Sequence, residues 1–135
     1  MSITVRSMVP LIQVFDMPAS LRFYCEQLGF TLVTAAGPEG DMGWAWLRLG
    51  DAELMLNTQY ELPDRPPAPD AARKAAHGDT GLYFACPDVH AAYEHVRAAG
   101  LAVKPPSVTG YGYDCVEVVD PDGYHLFFQS PKKMQ

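Results

Sequence analysis

The sequence predicts an α+β fold made of two copies of a βαβββ unit. Three observations predict it. The order strand, helix, strand, strand, strand occurs twice. A proline-rich stretch separates the two occurrences. The strand-like segments alternate aliphatic residues with aromatic or polar ones at a period of two, as strands with one buried face do.

The first half spans about 8–58. "MVPLIQVFD" (8–16) is apolar and partly β-branched, which predicts a strand. "MPASLRFYCEQLG" (17–29) follows, with a proline near its start and a glycine at its end, as helices prefer. Leu21, Tyr24 and Leu28 make its apolar stripe. "FTLVTAA" predicts a strand, and a glycine-rich turn at 37–43 follows it. "WAWLRLG" and "AELMLNT" are two more strands joined at Gly50–Asp51, a hairpin turn.

Residues 60–79 break the pattern. Pro63, Pro66, Pro67 and Pro69 mark a linker. Its length exceeds that of ordinary loops and leaves room for a partly ordered flap.

The second half spans about 80–130. "TGLYFAC" is a strand and "PDVHAAYEHVRAAG" a helix, with Val89, Ala92, Tyr93 and Val96 on one face and Gly100 as its stop. "LAV" (101–103) predicts a short strand before Pro105 and Pro106. "YDCVEVV" and "YHLFFQS" are strands joined by the turn DPDG. Superposing Asp16 on Asp88 aligns helix with helix, the mark of an internal repeat. Neither half can bury its sheet alone, so the halves must share a core or pair with those of another chain.

Composition narrows the function. Hydrophobic residues make up 48% and charged residues 19%, enough for a real core and against disorder. The net charge of −6 argues against nucleic acid, which needs a basic face. It suits a cationic ligand, although acidity also serves solubility. No stretch reaches the roughly 18 apolar residues of a membrane helix, and the start does not read as a signal peptide. Cys25, Cys86 and Cys115 are odd in number and far apart, so neither a disulfide framework nor a zinc knuckle is expected. A reducing cytoplasm is the expected home.

Three stretches in this order, "VFDMPASLRFYCEQLGF", "DVHAAYEHVRAAG" and "DPDGYHLFF", resemble the vicinal oxygen chelate superfamily of glyoxalases, extradiol dioxygenases and bleomycin-resistance proteins. The resemblance covers nearly the whole chain. It implies a single domain over 1–135, with a curved mixed sheet around a cleft and helices on the convex face. On that frame, strand parity assigns Gln13, Trp44, Trp46, Arg48, Tyr83, Tyr113, Glu117, His125 and Phe127 to the cleft side. A solvated or dimer-packed sheet face is the alternative for each.

Metal-dependent members of the family place imidazole and carboxylate ligands on the cleft face of both halves. Val9, Gly81 and Phe127 stand at three of those positions, and none has a ligating side-chain atom. Glu53 or Met55 stands at the remaining one. No family-type metal and no cofactor are therefore expected. His90 and His95 do not share a helix face as an HExxH pair would, and solvated side chains are expected there. Cys115 with His125 could make a thiol–imidazole pair, but no orienting group accompanies them. Glu117 and His125 are the remaining catalytic candidates.

The resemblance and the aromatic face together imply a metal-independent small-molecule binding protein, nearest in character to the bleomycin-resistance branch. The expected ligand is aromatic or cationic, the expected assembly a homodimer, and the expected role drug sequestration. The alternative is a glyoxalase-type lyase or isomerase with an atypical metal or acid–base site around Glu53, Glu117 and His125.

Overall fold

The computed structural model describes residues 1–40 and 42–132. The expected repeat is present. The first half comprises β1 (Leu11–Val14), α1 (Met17–Leu21), β2 (Thr31–Ala36), β3 (Trp44–Leu49) and β4 (Ala52–Thr58). The second comprises β5 (Gly81–Ala85), α3 (Val89–Ala98), β6 (Ser107–Val108), β7 (Tyr113–Val119) and β8 (His125–Pro131). Between them lies α2 (Ala71–Ala76). The strands form two four-stranded mixed sheets of like topology, ordered β1-β4-β3-β2 and β5-β8-β7-β6. In each, the first and last strands of the half pair in parallel and the others antiparallel.

Both helices begin the same way. Asp16 accepts from the Ala19 N–H at 3.2 Å, and Asp88 accepts from the Ala91 N–H at 2.9 Å. Each carboxylate fills one of the donors that a helix start leaves open. The α1 segment then widens into a π-helix over Arg22–Gln27. It keeps its predicted stripe, with Tyr24 and Leu28 buried and Leu21 packed beside them.

Strand parity is obeyed in β1, β3, β4 and β8, while β2 is exposed along nearly its whole length. Ile12, Val14, Ala45, Leu47, Leu54 and Leu56 of the first face one core together with Val116, Val118, Leu126 and Phe128 of the second. Met17, Phe23, Tyr24, Val89 and Val96 of the helical segments complete it. Leu47, Leu54, Leu56 and Leu126 are sealed from solvent, and burial of each contributes about 2 kcal/mol.

The DPDG turn ties the halves together. Asp120 accepts from the Tyr24 hydroxyl at 2.6 Å and from the backbone N–H groups of Asp122 and Tyr124. Asp122 accepts from the Phe15 N–H at 2.8 Å and from the Ser20 hydroxyl at 3.4 Å. Both carboxylates and both hydroxyl-bearing residues are buried.

Residues 60–79 are more ordered than a linker. Asp70 caps α2, accepting from Ala72 and Arg73. The segment then docks on the DPDG turn. His77 stacks on Tyr124 with centroids 4.1 Å apart. Its Nδ1–H donates to the Asp122 carbonyl at 2.7 Å. Gly123 has φ +90°, and a Cβ there would sit 2.2 Å from the Lys74 carbonyl oxygen. Only glycine fits both demands.

One predicted strand is displaced. Residues 101–103 are not a strand; β6 forms after the two prolines, at Ser107–Val108, against Asp114 and Cys115. Prolines 105 and 106 lack the N–H that pairing needs, so the chain joins the sheet only beyond them.

Burial pushes the carboxyls of Asp120 and Asp122 above the ordinary carboxylate range, and their hydrogen bonds offset this only in part. A carboxyl raised in this way binds its proton more tightly folded than unfolded. Its stabilising contribution is full at low pH and is lost as pH rises through the raised value. In urea melts, wild type should therefore gain on Asp120→Asn as pH falls from 7 toward 4. Asp120→Ala, which strands the Tyr24 hydroxyl, should cost about 3 kcal/mol at neutral pH.

Candidate functional site

A pocket of about 720 Å³ opens on the outer face of the second sheet. It exists because the β6 edge is only two residues long. The Leu101–Pro105 strap therefore leaves the sheet edge and walls the pocket. The strands supply the rest: Tyr83 from β5, Phe127 from β8, Cys115 and Glu117 from β7. Tyr111, from the turn before β7, adds a further aromatic wall and donates to Gln129 Oε1 at 2.5 Å.

Register explains the aromatic wall. Tyr83 lies opposite Phe127 in the parallel β5–β8 pair, and Phe127 opposite Glu117 in the antiparallel β7–β8 pair. The Tyr83 and Phe127 rings stack at 4.6 Å and 12°. Tyr83 is still 60% exposed, so most of this large ring stays open to a ligand. Gly81 makes the stack possible. A Cβ at 81 would stand 2.8 Å from the Tyr83 ring and 3.3 Å from Phe127.

His125 lies one pair along from Phe127, opposite Val119 and Gly81. Its Nδ1 hydrogen-bonds Glu117 Oε1, and both side chains are part-exposed. Glu117 lines the pocket; His125 flanks the lining and approaches Gly78. Tyr113 packs edge-on against Tyr111 at 5.1 Å. Burial, aided by the Glu117 charge, pushes the Cys115 thiol above its ordinary pKa, so it is a poor nucleophile.

The remaining residues assigned from the sequence lie on the first sheet. Trp44 and Trp46 meet edge to face at 6.2 Å. Arg48 pairs with Glu53 at 2.8 Å, and Gln13 accepts from Asn57 at 3.4 Å. Each sits on the outer face, as parity predicts. The second-sheet pocket is lined by second-half residues alone, so these four do not join Tyr83 and Phe127 within one chain. Trp46 buries its indole N–H without a hydrogen-bond partner among the described residues.

Gly81 and Phe127 bring no ligating side-chain atom to the Tyr83 stack, and Glu53 is held by Arg48 on the other sheet. Among the described residues no three His, Cys, Asp or Glu side chains gather to hold an ion. Of the other histidines, His90 is exposed, as expected, and His95 reaches from α3 to the Gln27 carbonyl at 3.0 Å.

Sequence reasoning missed the strap. Its signal was the Pro105–Pro106 pair, which ends edge pairing and frees the preceding residues to wall a pocket. It also missed the anchoring role of His77, for which an isolated histidine among prolines gives no pattern.

Comparisons place this architecture. Residues 6–128 match the family model described as Glyoxalase/Bleomycin resistance protein/Dioxygenase superfamily. The chain belongs to that superfamily. It is 30% identical over 120 residues to the uncharacterised protein YaeR of Escherichia coli (strain K12), covering 82% of this chain and 84% of YaeR. Two solved structures share the fold. A bleomycin resistance determinant encoded on transposon Tn5 superposes with a TM-score of 0.70 at 21% identity, over 96% of this chain and 100% of that one. A bleomycin-binding protein solved with bleomycin gives 0.69 at 20% identity, over 95% and 100%.

Gly81→Ala tests the origin of the stack. The added methyl should keep the fold, swing Tyr83 off Phe127, and cost about 1 kcal/mol. Near-ultraviolet circular dichroism should change in the tyrosine band while the far-ultraviolet spectrum stays.

Proposed function

We propose that the protein binds an aromatic small molecule in the second-sheet pocket, without a metal and without transforming it. The observation that carries this reading is the exposed Tyr83 ring stacked on Phe127 in the wall of a pocket of about 720 Å³. An open aromatic face recognises a planar ligand by stacking. The Glu117 carboxylate beside it suits a cationic substituent, and the chain's net charge of −6 favours the approach of one. The bleomycin bound by the structural neighbour is consistent with sequestration of a drug-like compound. Among the described residues no helix is long and apolar enough to cross a membrane, and the three cysteines are unpaired, which suits a reducing cytoplasm.

Gln13, Trp44, Trp46 and Arg48 enter this reading through a homodimer. In it, the outer face of the first sheet of one protomer covers the pocket of its partner. The exposed Leu11 on that face supports a covering surface. Light scattering after gel filtration should give twice the chain mass; a monomer at micromolar concentration would remove this part of the reading.

Calorimetry with planar cationic compounds and bleomycin-type glycopeptides tests the site. A ligand should bind equally before and after chelator treatment. Tyr83→Ala should weaken it about tenfold, and Trp46→Ala should weaken it in the dimer. The His125–Glu117 hydrogen bond favours a second reading, an acid–base site of a lyase or isomerase. Stoichiometric metal in the purified protein that disappears in His125→Ala would establish that reading and overturn the first.

A further inference from the structure

We propose a second small-molecule site, selective for amphipathic carboxylates, between the start of α1 and the segment that joins the halves. A cavity of about 330 Å³ lies there, remote from the pocket of the second sheet and sharing no lining residue with it. That volume is within the range of small-ligand sites. Its walls are largely apolar, with Met17 and Leu21 from α1 and Tyr60 and Leu62 from the joining segment, while Asp16, Thr58 and Arg65 add polar groups. Phe15 meets Tyr60 edge to face at 6.4 Å and forms an aromatic corner. Leu62 is 47% exposed, an apolar side chain left open at the rim.

Arg65 sets the polarity of this cavity. Its guanidinium lies 5.3 Å from the centroid of the Phe15 ring. One end leans toward Asp16, with Nη1 at 3.8 Å from Oδ1, too far for a hydrogen bond. That oxygen already accepts from the Ala19 N–H at the helix cap. Asp16 thus holds the guanidinium in place loosely, and the Nε and Nη2 donors have no partner among the described residues. A planar fork of two N–H groups beside an apolar cavity matches a carboxylate bidentately. The side chain of Arg65 is only 30% exposed, so such a pair forms partly out of water, where it is stronger than at an open surface. The ligand this chemistry selects has one carboxylate for Arg65 and a compact aryl or branched alkyl body for the Met17–Leu21–Leu62 wall.

The test uses the full chain and three probes of one shape: 3-phenylpropionate, its primary amide, and the amine of equal length. Amide chemical shifts are followed by two-dimensional NMR. The acid should shift the amides of Phe15, Leu21 and Leu62 and bind about tenfold more tightly than the amide or the amine. Arg65→Gln should erase the preference for the acid, and Leu62→Trp, which fills the mouth, should abolish binding of all three. Shifts confined to the residues around Tyr83 and Phe127, equal binding of the amine, or an undiminished preference in Arg65→Gln would each overturn the proposal. Should Arg65→Gln fail to fold, Arg65→Lys replaces it and should lose most of the preference, because a lysine cannot pair bidentately.

Discussion

Two buried carboxylates in one tight turn set how the two halves of this molecule meet. Asp120 takes the Tyr24 hydroxyl and Asp122 takes the Phe15 N–H and the Ser20 hydroxyl, so a four-residue turn of the second half grips the helical entry of the first. Burying two negative charges costs several kcal/mol each, and hydrogen bonds return most of that. Burial raises the pKa of both groups, and their hydrogen bonds offset this in part. The network's physical product is orientation. It fixes where β8 starts, and β8 carries His125 and Phe127. Any displacement of the turn would move the site.

The same turn explains why the joining segment is ordered. The backbone of Asp122 and the ring of Tyr124 leave a carbonyl and an aromatic face on the surface. His77 satisfies both at once: its Nδ1–H goes to the carbonyl and its ring stacks on Tyr124. That carbonyl can only accept, so Nδ1 carries the proton and Nε2 is left to accept from the Tyr124 hydroxyl at 3.3 Å. One histidine thus converts a proline-rich stretch into a strap across the junction of the halves. Upstream in the same segment, the Arg65 guanidinium lies 5.3 Å from the centroid of the Phe15 ring.

What was legible in the sequence follows from which forces are local. Strand parity is local, because one buried face imposes a period of two, and Leu47, Leu54, Val116 and Leu126 obey it. Helix caps are local, and Asp16 and Asp88 revealed the repeat. The strap at 101–105 was not legible, since a short apolar run reads as a strand until the prolines after it are weighed against the pairing they forbid. Nor could parity say which outer faces meet. It assigns Trp46 and Tyr83 to the same kind of face, yet they belong to different sheets. Only packing of the inner faces on one core separates them within a chain.

The pair Gly81 and Phe127 gives the outer face its chemistry. In a parallel pair, the residue two positions along a strand lies on the same face, so Tyr83 can fold back over residue 81 only if nothing projects there. Glycine clears that space and Phe127 supplies a ring at matching height. The two substitutions therefore act together: glycine alone would leave a gap, and phenylalanine alone would lose its stacking partner. Together they give the outer face a stacked aromatic pair. Recognition in the proposed site then depends on contact area and ring geometry, and the charge of Glu117 chooses among molecules that already fit.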